Sequence, residues 1–119
     1  MKHYLFIIRR SPYQSAQAGE KLDQILTAAA FDQSVSLLFI DDGVWQLKAQ
    51  RSAQVTDVKA LDAMLKALPL YGVDQLYVET ESMQQRGLDA EQLFLPATLI
   101  PRSELSALLA EHEIIVADS

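Results

Sequence analysis

The stretch LFIDDGVWQL, residues 38–47, marks the end of an apolar segment and the start of a polar one. The apolar residues that lead up to it predict a buried strand. Asp41 and Asp42 stop this run, and Gly43 and the only tryptophan, Trp45, follow at once. An aspartate beside a glycine is typical of a turn, because aspartate bonds to nearby backbone and glycine accepts a positive φ. We therefore expect the strand to end in a turn with Gly43 at positive φ.

Apolar strands and amphipathic helices alternate along the rest of the chain. Short runs rich in Leu, Ile, Val and aromatic residues predict strands, and apolar residues spaced three and four apart predict helices. The predicted strands are residues 3–8, 35–40, 75–79, 99–100 and 114–116, and the predicted helices are residues 18–29, 58–68, 80–86 and 101–112. Pro69 is expected to end the second helix, and Gly87 the third.

The predicted strands are almost continuously apolar, which indicates that both faces of the sheet are covered. Such strands are typical of parallel sheets flanked by helices. The predicted fold class is therefore α/β, with a single domain over residues 1–119. We expect a three-layer flavodoxin-like fold with a mainly parallel five-stranded sheet. The strand order 2-1-3-4-5 is suggested by that layout, while the pattern of apolar residues itself leaves the order open.

Composition excludes several classes of function. The chain of 119 residues has 10 basic and 16 acidic side chains, for a formal charge of −6. An acidic domain is a poor candidate for direct nucleic-acid binding or for an anionic membrane surface. Cysteine is absent, which excludes disulfides, thiolate catalysis and cysteine-ligated metals. The apolar runs are too short for a signal peptide or a membrane span, so we expect a cytoplasmic protein.

In a parallel sheet, functional residues collect beyond the carboxyl ends of the strands. Two alternatives to a simple turn follow from the residues there. Asp41, Asp42 and Glu79 could surround a divalent metal, since carboxylates suit hard cations. The segment that begins Arg9-Arg10-Ser11 could hold a small anion, although it lacks the glycines of phosphate-binding loops. No cofactor is predicted.

Three segments of the chain resemble the DsrE/DsrF-like family. They are FIDDGVWQL, LPLYGVDQLYV and SMQQRGL, and the similarity extends from the start of the first predicted strand to the last. Within that family the chain is similar to the TusC/DsrF subunits of bacterial sulfur-relay complexes. None of the three segments is a catalytic motif, so the resemblance rests on the layout and on these local stretches.

The resemblance implies a flavodoxin-like subunit that assembles with TusB-like and TusD-like subunits into a heterotrimer, which pairs into a hexamer. Such a complex takes persulfide sulfur from TusA and passes it on through TusE. The sulfur becomes the 2-thio group of the wobble uridine of certain tRNAs, or, in DsrEFH-type complexes, serves sulfur oxidation. The cysteine of the family's active subunit corresponds to a place near Glu79, so a chain without cysteine is expected to be non-catalytic.

The same resemblance implies that the loop after the second strand contacts a partner subunit rather than reacting. Tyr71 and Phe94 are additional contact candidates, with a core role equally open for both. Burial against its own core is also open for Trp45. The predicted interface residues are Asp42, Gly43, Val44, Trp45, Leu47 and Tyr71.

Overall fold

The computed structural model describes residues 3–9, 27, 34–48, 65–73, 75–93 and 95–117. In these residues, five strands form one sheet in which every neighbouring pair is parallel. The strands are β1 (His3–Ile8), β2 (Ser34–Phe39), β3 (Gln75–Glu79), β4 (Thr98–Ile100) and β5 (Ile114–Ala117). The predicted α/β class with a five-stranded parallel sheet is therefore confirmed.

The strand order is β4-β3-β2-β1-β5, so the suggested order 2-1-3-4-5 is wrong. The strands β2, β3 and β4 each lie beside the strand that precedes them in the chain. β5 lies on the other side of β1. Consecutive strands are commonly neighbours, and the apolar pattern is the same for either order. Because of the observed order and the parallel pairing, the carboxyl ends of β1, β2, β3 and β4 lie side by side in chain order.

Among the described residues, α1 (Thr80–Gln85) and α2 (Leu105–Ala110) are the α-helices whose two ends are both placed. In the same residues, 3₁₀ helices span Asp41–Leu47, Leu68–Tyr71, Ala90–Gln92 and Arg102–Glu104. The helix predicted at residues 80–86 is confirmed, and Gly87 follows it at φ 67° as expected. The helix predicted at 101–112 begins as a 3₁₀ turn and is α-helical only in α2. The helix predicted at 18–29, and most of that at 58–68, lie outside the described residues.

The sheet separates two apolar cores, because successive side chains of a strand point to opposite faces. The larger core takes alternate residues of β1 and β2 together with buried residues of the Asp41–Leu47 helix and of α1. The smaller core is formed by Leu5, Leu38, Ile100 and Leu108, the last of them from α2. Members of the larger core include Phe6, Ile8, Leu37, Phe39, Val44, Leu47, Val78 and Met83. Among the described residues, no helix is long and apolar enough to span a membrane.

Gly43 is required for a different reason from the one expected. Its φ is not positive, and the residue with a positive φ is Asp41, at 50°. A Cβ on Gly43 would lie 1.9 Å from the carbonyl oxygen of Ile8 and 2.6 Å from its carbonyl carbon. The Asp41–Leu47 helix thus presses its backbone directly against the end of β1, which only a glycine permits.

Gly43→Ala should therefore destabilise the protein by at least about 2 kcal/mol, since overpacking against backbone is not relieved by a side-chain rotation. The matched control is Gly72→Ala, where φ is 85° but no atom lies within 4 Å of the added Cβ. That change should cost about 1 kcal/mol from the left-handed conformation alone. Urea unfolding of both variants measures the difference, and an equal or smaller loss for Gly43→Ala would contradict the close approach.

Candidate functional site

Three carboxylates and three arginines meet where β1 to β4 end. The Nε atom of Arg9 lies 3.4 Å from Oδ2 of Asp41, and Nη2 of Arg102 lies 2.9 Å from Oε1 of Glu79. The third pair joins Nε of Arg86 to Oδ1 of Asp42 at 3.0 Å. We call this arrangement, together with the serine that connects two of the pairs, the carboxyl-edge network. Its members are Arg9, Asp41, Asp42, Glu79, Ser82, Arg86 and Arg102.

Glu79 is the buried charged residue of the network. It is the last residue of β3, and its side chain is only 4% exposed. Arg102 donates hydrogen bonds to both carboxylate oxygens, from Nη2 to Oε1 at 2.9 Å and from Nε to Oε2 at 3.2 Å. The hydroxyl of Ser82 donates a further hydrogen bond to Oε1. A bidentate guanidinium and a hydroxyl therefore replace the water that burial has removed from this carboxylate.

The environment keeps Glu79 ionised. Burial by itself would raise the pKa of this carboxyl, because it disfavours the charged form. Hydrogen bonds from Arg102 and Ser82, and the positive charges of Arg102 and Arg86, outweigh burial and hold the pKa of Glu79 below its ordinary value. The hydrogen bond to Glu79 in turn raises the pKa of Arg102. The end of β3 therefore carries a fixed negative charge matched by a fixed positive one.

Ser82 connects Glu79 to the segment that follows β2. The serine lies in α1 and is fully buried. Its Oγ accepts a hydrogen bond from the backbone N–H of Asp41 at 2.9 Å while it donates to Glu79. Arg86 spans the same two segments, because Nη1 donates to the carbonyl oxygen of Ser82 at 3.2 Å and Nε to Asp42. The helix α1 and the Asp41–Leu47 helix are thus held together by polar contacts at the edge of the sheet.

The geometry does not support the alternative of a divalent metal among Asp41, Asp42 and Glu79. Each of these carboxylates already faces an arginine. Within the part of the chain that the structure describes, no group of three or more potential ligands is placed to hold a metal ion. For the alternative of an anion site, Arg9 is paired with Asp41, while residues 10 and 11 lie outside the described ranges.

The structure divides the predicted interface residues into two sets. Val44 and Leu47 have no exposed surface and belong to the larger core, and Gly43 is buried against Ile8. These three residues pack inside their own chain, and a partner contact for them stays a prediction. The Asp41–Leu47 helix is amphipathic, and the sequence pattern alone did not show which of its faces points inward.

Trp45 and Asp42 keep exposed surface. Trp45 is half-buried and packs against the larger core, and Nζ of Lys48 lies 5.4 Å from the centre of its ring. The side chain of Asp42 is 39% exposed. Tyr71 ends the Leu68–Tyr71 helix, but its side chain and the whole of Phe94 lie outside what the structure describes. A partner contact therefore stays a prediction for Asp42, Trp45 and Tyr71.

Sequence analysis did not identify Arg86, Arg102 and Ser82 as members of the network. Arg86 and Arg102 find their carboxylates 44 and 23 residues away in the chain, which no local pattern reveals. One signal was present in the spacing of Glu79 and Ser82, which lie three residues apart across the start of a predicted helix. A serine there is within reach of the last carboxylate of the strand, so the pair was open to inference.

A model of the DsrE/DsrF-like family matches residues 2–117 of the chain. The TusC homolog of Pseudomonas aeruginosa is 39% identical over 112 residues, which cover 94% of each chain. TusC of Shigella flexneri is 31% identical over 117 residues and 98% of each chain. The intracellular sulfur oxidation protein DsrF of Allochromatium vinosum is 36% identical over 93 residues, 78% of this chain and 68% of that protein.

The fold is also found in a solved structure. The ychN protein from E. coli superimposes with a TM-score of 0.80 at 16% sequence identity, over 99% of this chain and 100% of that one. At that level of identity the likeness concerns the fold alone. The five-stranded parallel sheet described above is therefore shared well beyond the relatives that are recognisable by sequence.

Glu79→Gln should lower the free energy of unfolding by about 1–3 kcal/mol at pH 7, because hydrogen bonds to a buried charged group are lost. The folded-state pKa of Glu79 is lowered, so its contribution is present above the ordinary value of 4.5 and is lost as the pH falls through the folded-state pKa. The difference between the parent and the variant should therefore shrink below about pH 4.5.

Urea unfolding between pH 3 and pH 7 measures this difference, with the exposed Glu111→Gln as the control. The control should follow the parent at every pH. A Glu79→Gln variant whose deficit is the same at every pH in that range would contradict the ionised state of this carboxylate.

Proposed function

This chain belongs to the DsrE/DsrF-like family, and from that premise we propose that it is a subunit of a TusBCD-type sulfurtransferase complex. The proposal rests chiefly on its 31–39% identity to proteins named TusC over nearly the whole length of both chains. Its partners are TusB-like and TusD-like subunits, joined in a heterotrimer that pairs into a hexamer. The complex works in the bacterial cytoplasm, takes persulfide sulfur from TusA and delivers it through TusE for 2-thiolation of the tRNA wobble uridine.

We assign this subunit a non-catalytic role. Persulfide transfer needs a thiolate that attacks the donor and then holds the sulfur, and the chain has no cysteine. The place near which the family's cysteine falls is taken by Glu79, a buried carboxylate that is already bound by Arg102 and Ser82. A carboxylate cannot carry sulfane sulfur, and this one is shielded from solvent. The contribution of the subunit is therefore to shape the complex in which a cysteine-bearing subunit reacts.

A DsrEFH-type role in sulfur oxidation is the second candidate. The relative that favours it is the intracellular sulfur oxidation protein DsrF, which is 36% identical over 78% of this chain. Both candidates place the chain in a sulfur-relay complex, and they differ in where the sulfur goes. Both TusC relatives are covered more fully than DsrF, and that of Pseudomonas aeruginosa is also more identical, at 39%, which favours tRNA thiolation.

Deletion of the gene in its own host tests the destination of the sulfur. We expect the 2-thiouridine content of bulk tRNA, measured by mass spectrometry of nucleosides, to fall and to recover with a plasmid copy. Thiolation that is unchanged in the deletion strain, together with impaired oxidation of stored sulfur, would replace the first candidate by the second. Thiolation and sulfur oxidation that are both unchanged would contradict both.

The non-catalytic role predicts where sulfur is bound in the reconstituted complex. With sulfur-35 persulfide supplied from TusA, non-reducing electrophoresis should show label on the cysteine-bearing subunit and none on this chain. The isolated chain should stay unlabelled as well. A thiol-sensitive adduct on this chain would overturn the assignment.

Trp45→Ala should weaken assembly, because the exposed part of the ring is the largest apolar contribution of the Asp41–Leu47 helix to the surface. Co-purification with tagged TusB-like and TusD-like subunits measures the effect, and far-UV circular dichroism checks that the chain stays folded. The control is Leu70→Ala, which removes an 87% exposed side chain from the Leu68–Tyr71 helix. Equal recovery of Trp45→Ala and the parent would count against this contact.

A further inference from the structure

The hydrogen bonds between β3 and the Asp41–Leu47 helix run in one direction. The backbone N–H of Asp41 donates to Oγ of Ser82, and the hydroxyl of Ser82 donates to Glu79. A hydroxyl has one proton and two lone pairs. While Glu79 is ionised it can only accept, so the single proton of Ser82 is committed to it and a lone pair is left for Asp41.

The residue that donates the first of these hydrogen bonds is strained. Asp41 has a φ of 50°, a left-handed conformation that costs a non-glycine residue about 1 kcal/mol or more. Such a conformation persists only when surrounding contacts hold it. The contacts at Asp41 are the bond from its N–H to Ser82 and the longer, exposed pair with Arg9. The buried bond to Ser82 is the better placed of the two to fix the backbone.

We propose that ionised Glu79 sets the conformation of the Asp41–Leu47 helix through the hydroxyl of Ser82. If the carboxylate is neutralised, it can donate to Ser82 as well as accept from it, and the serine is free to turn its proton elsewhere. The lone pair that accepts from the N–H of Asp41 is then no longer held in one orientation, and the helix that carries Trp45 shifts. The device is a property of this chain alone and does not depend on the proposed relay of sulfur.

The charged groups around Glu79 come from every neighbouring segment. Arg102 follows β4, Glu81 lies on α1, Arg86 directly follows α1, and Arg9 follows β1. The Asp41–Leu47 helix itself contributes the carboxylates of Asp41 and Asp42. Replacing Glu79 alone leaves those two aspartates in place, so their effect is separable from that of the buried carboxylate.

Trp45 makes the inference testable, because it is the only tryptophan of the chain and lies in the responding helix. At pH 7, both Ser82→Ala and Glu79→Gln should move its fluorescence emission to longer wavelength and increase its quenching by acrylamide, with far-UV circular dichroism unchanged. The exposed Ser106→Ala and Glu111→Gln are matched controls and should leave both signals as in the parent. An effect of Ser82→Ala without one of Glu79→Gln would overturn the proposal, as would no effect of either.

An acid titration of Trp45 emission gives a second readout that a merely structural role would not move. The parent should show a transition that Glu79→Gln abolishes. Arg102→Gln changes a half-exposed side chain, so the variant should fold, and its transition should move up by about one pH unit because a nearby positive charge is lost. An unmoved midpoint in Arg102→Gln, or an acid transition that persists in Glu79→Gln, would refute the link between Glu79 and the helix.

Discussion

The arrangement at the carboxyl edge of the sheet depends on one buried charge, the carboxylate of Glu79. A buried ion without a partner costs several kcal/mol, so the fold has to bring a cation and hydrogen-bond donors to it. The guanidinium of Arg102 arrives from the segment after β4, and the hydroxyl of Ser82 from α1. Both segments are thereby fixed in relation to β3, and Ser82 extends the constraint to the backbone of Asp41.

The same interaction is consistent with the proposed non-catalytic role of this chain. Reactive thiolates need solvent access and an electropositive setting that stabilises the anion. The end of β3 provides the electropositive setting through Arg102 and Arg86. Here the anion is a carboxylate whose oxygens are taken up by intramolecular donors. The end of β3 therefore combines electropositive surroundings with a carboxylate that is fully bound within the chain.

The strands could be predicted from the sequence because each contains a run of apolar residues, a signal that is local to a few residues. The edge strands β4 and β5 nevertheless keep exposed positions. Gly87 was also readable, since a glycine after a short helical segment ends it in a left-handed conformation. Strand order could not be predicted, because the apolar pattern of β1 is the same whichever strands lie on its two sides. The partners of the arginines could not be predicted either, because they lie far away in the sequence. Gly43 was expected to adopt a positive φ, whereas it is needed because a Cβ would collide with the backbone of Ile8.

The position of β5 has a consequence for the growing polypeptide. β1 is made before the other strands of the sheet, yet one of its two neighbours is β5, the last of the described strands, with Tyr4 pairing with Ile114. Until β5 emerges from the ribosome, that flank of β1 displays unpaired N–H and C=O groups beside strongly apolar side chains. Such a flank is a template for wrong pairing with other chains. Nascent molecules are thus vulnerable to aggregation until β5 has emerged, and a holding chaperone has this flank of β1 to protect up to that stage.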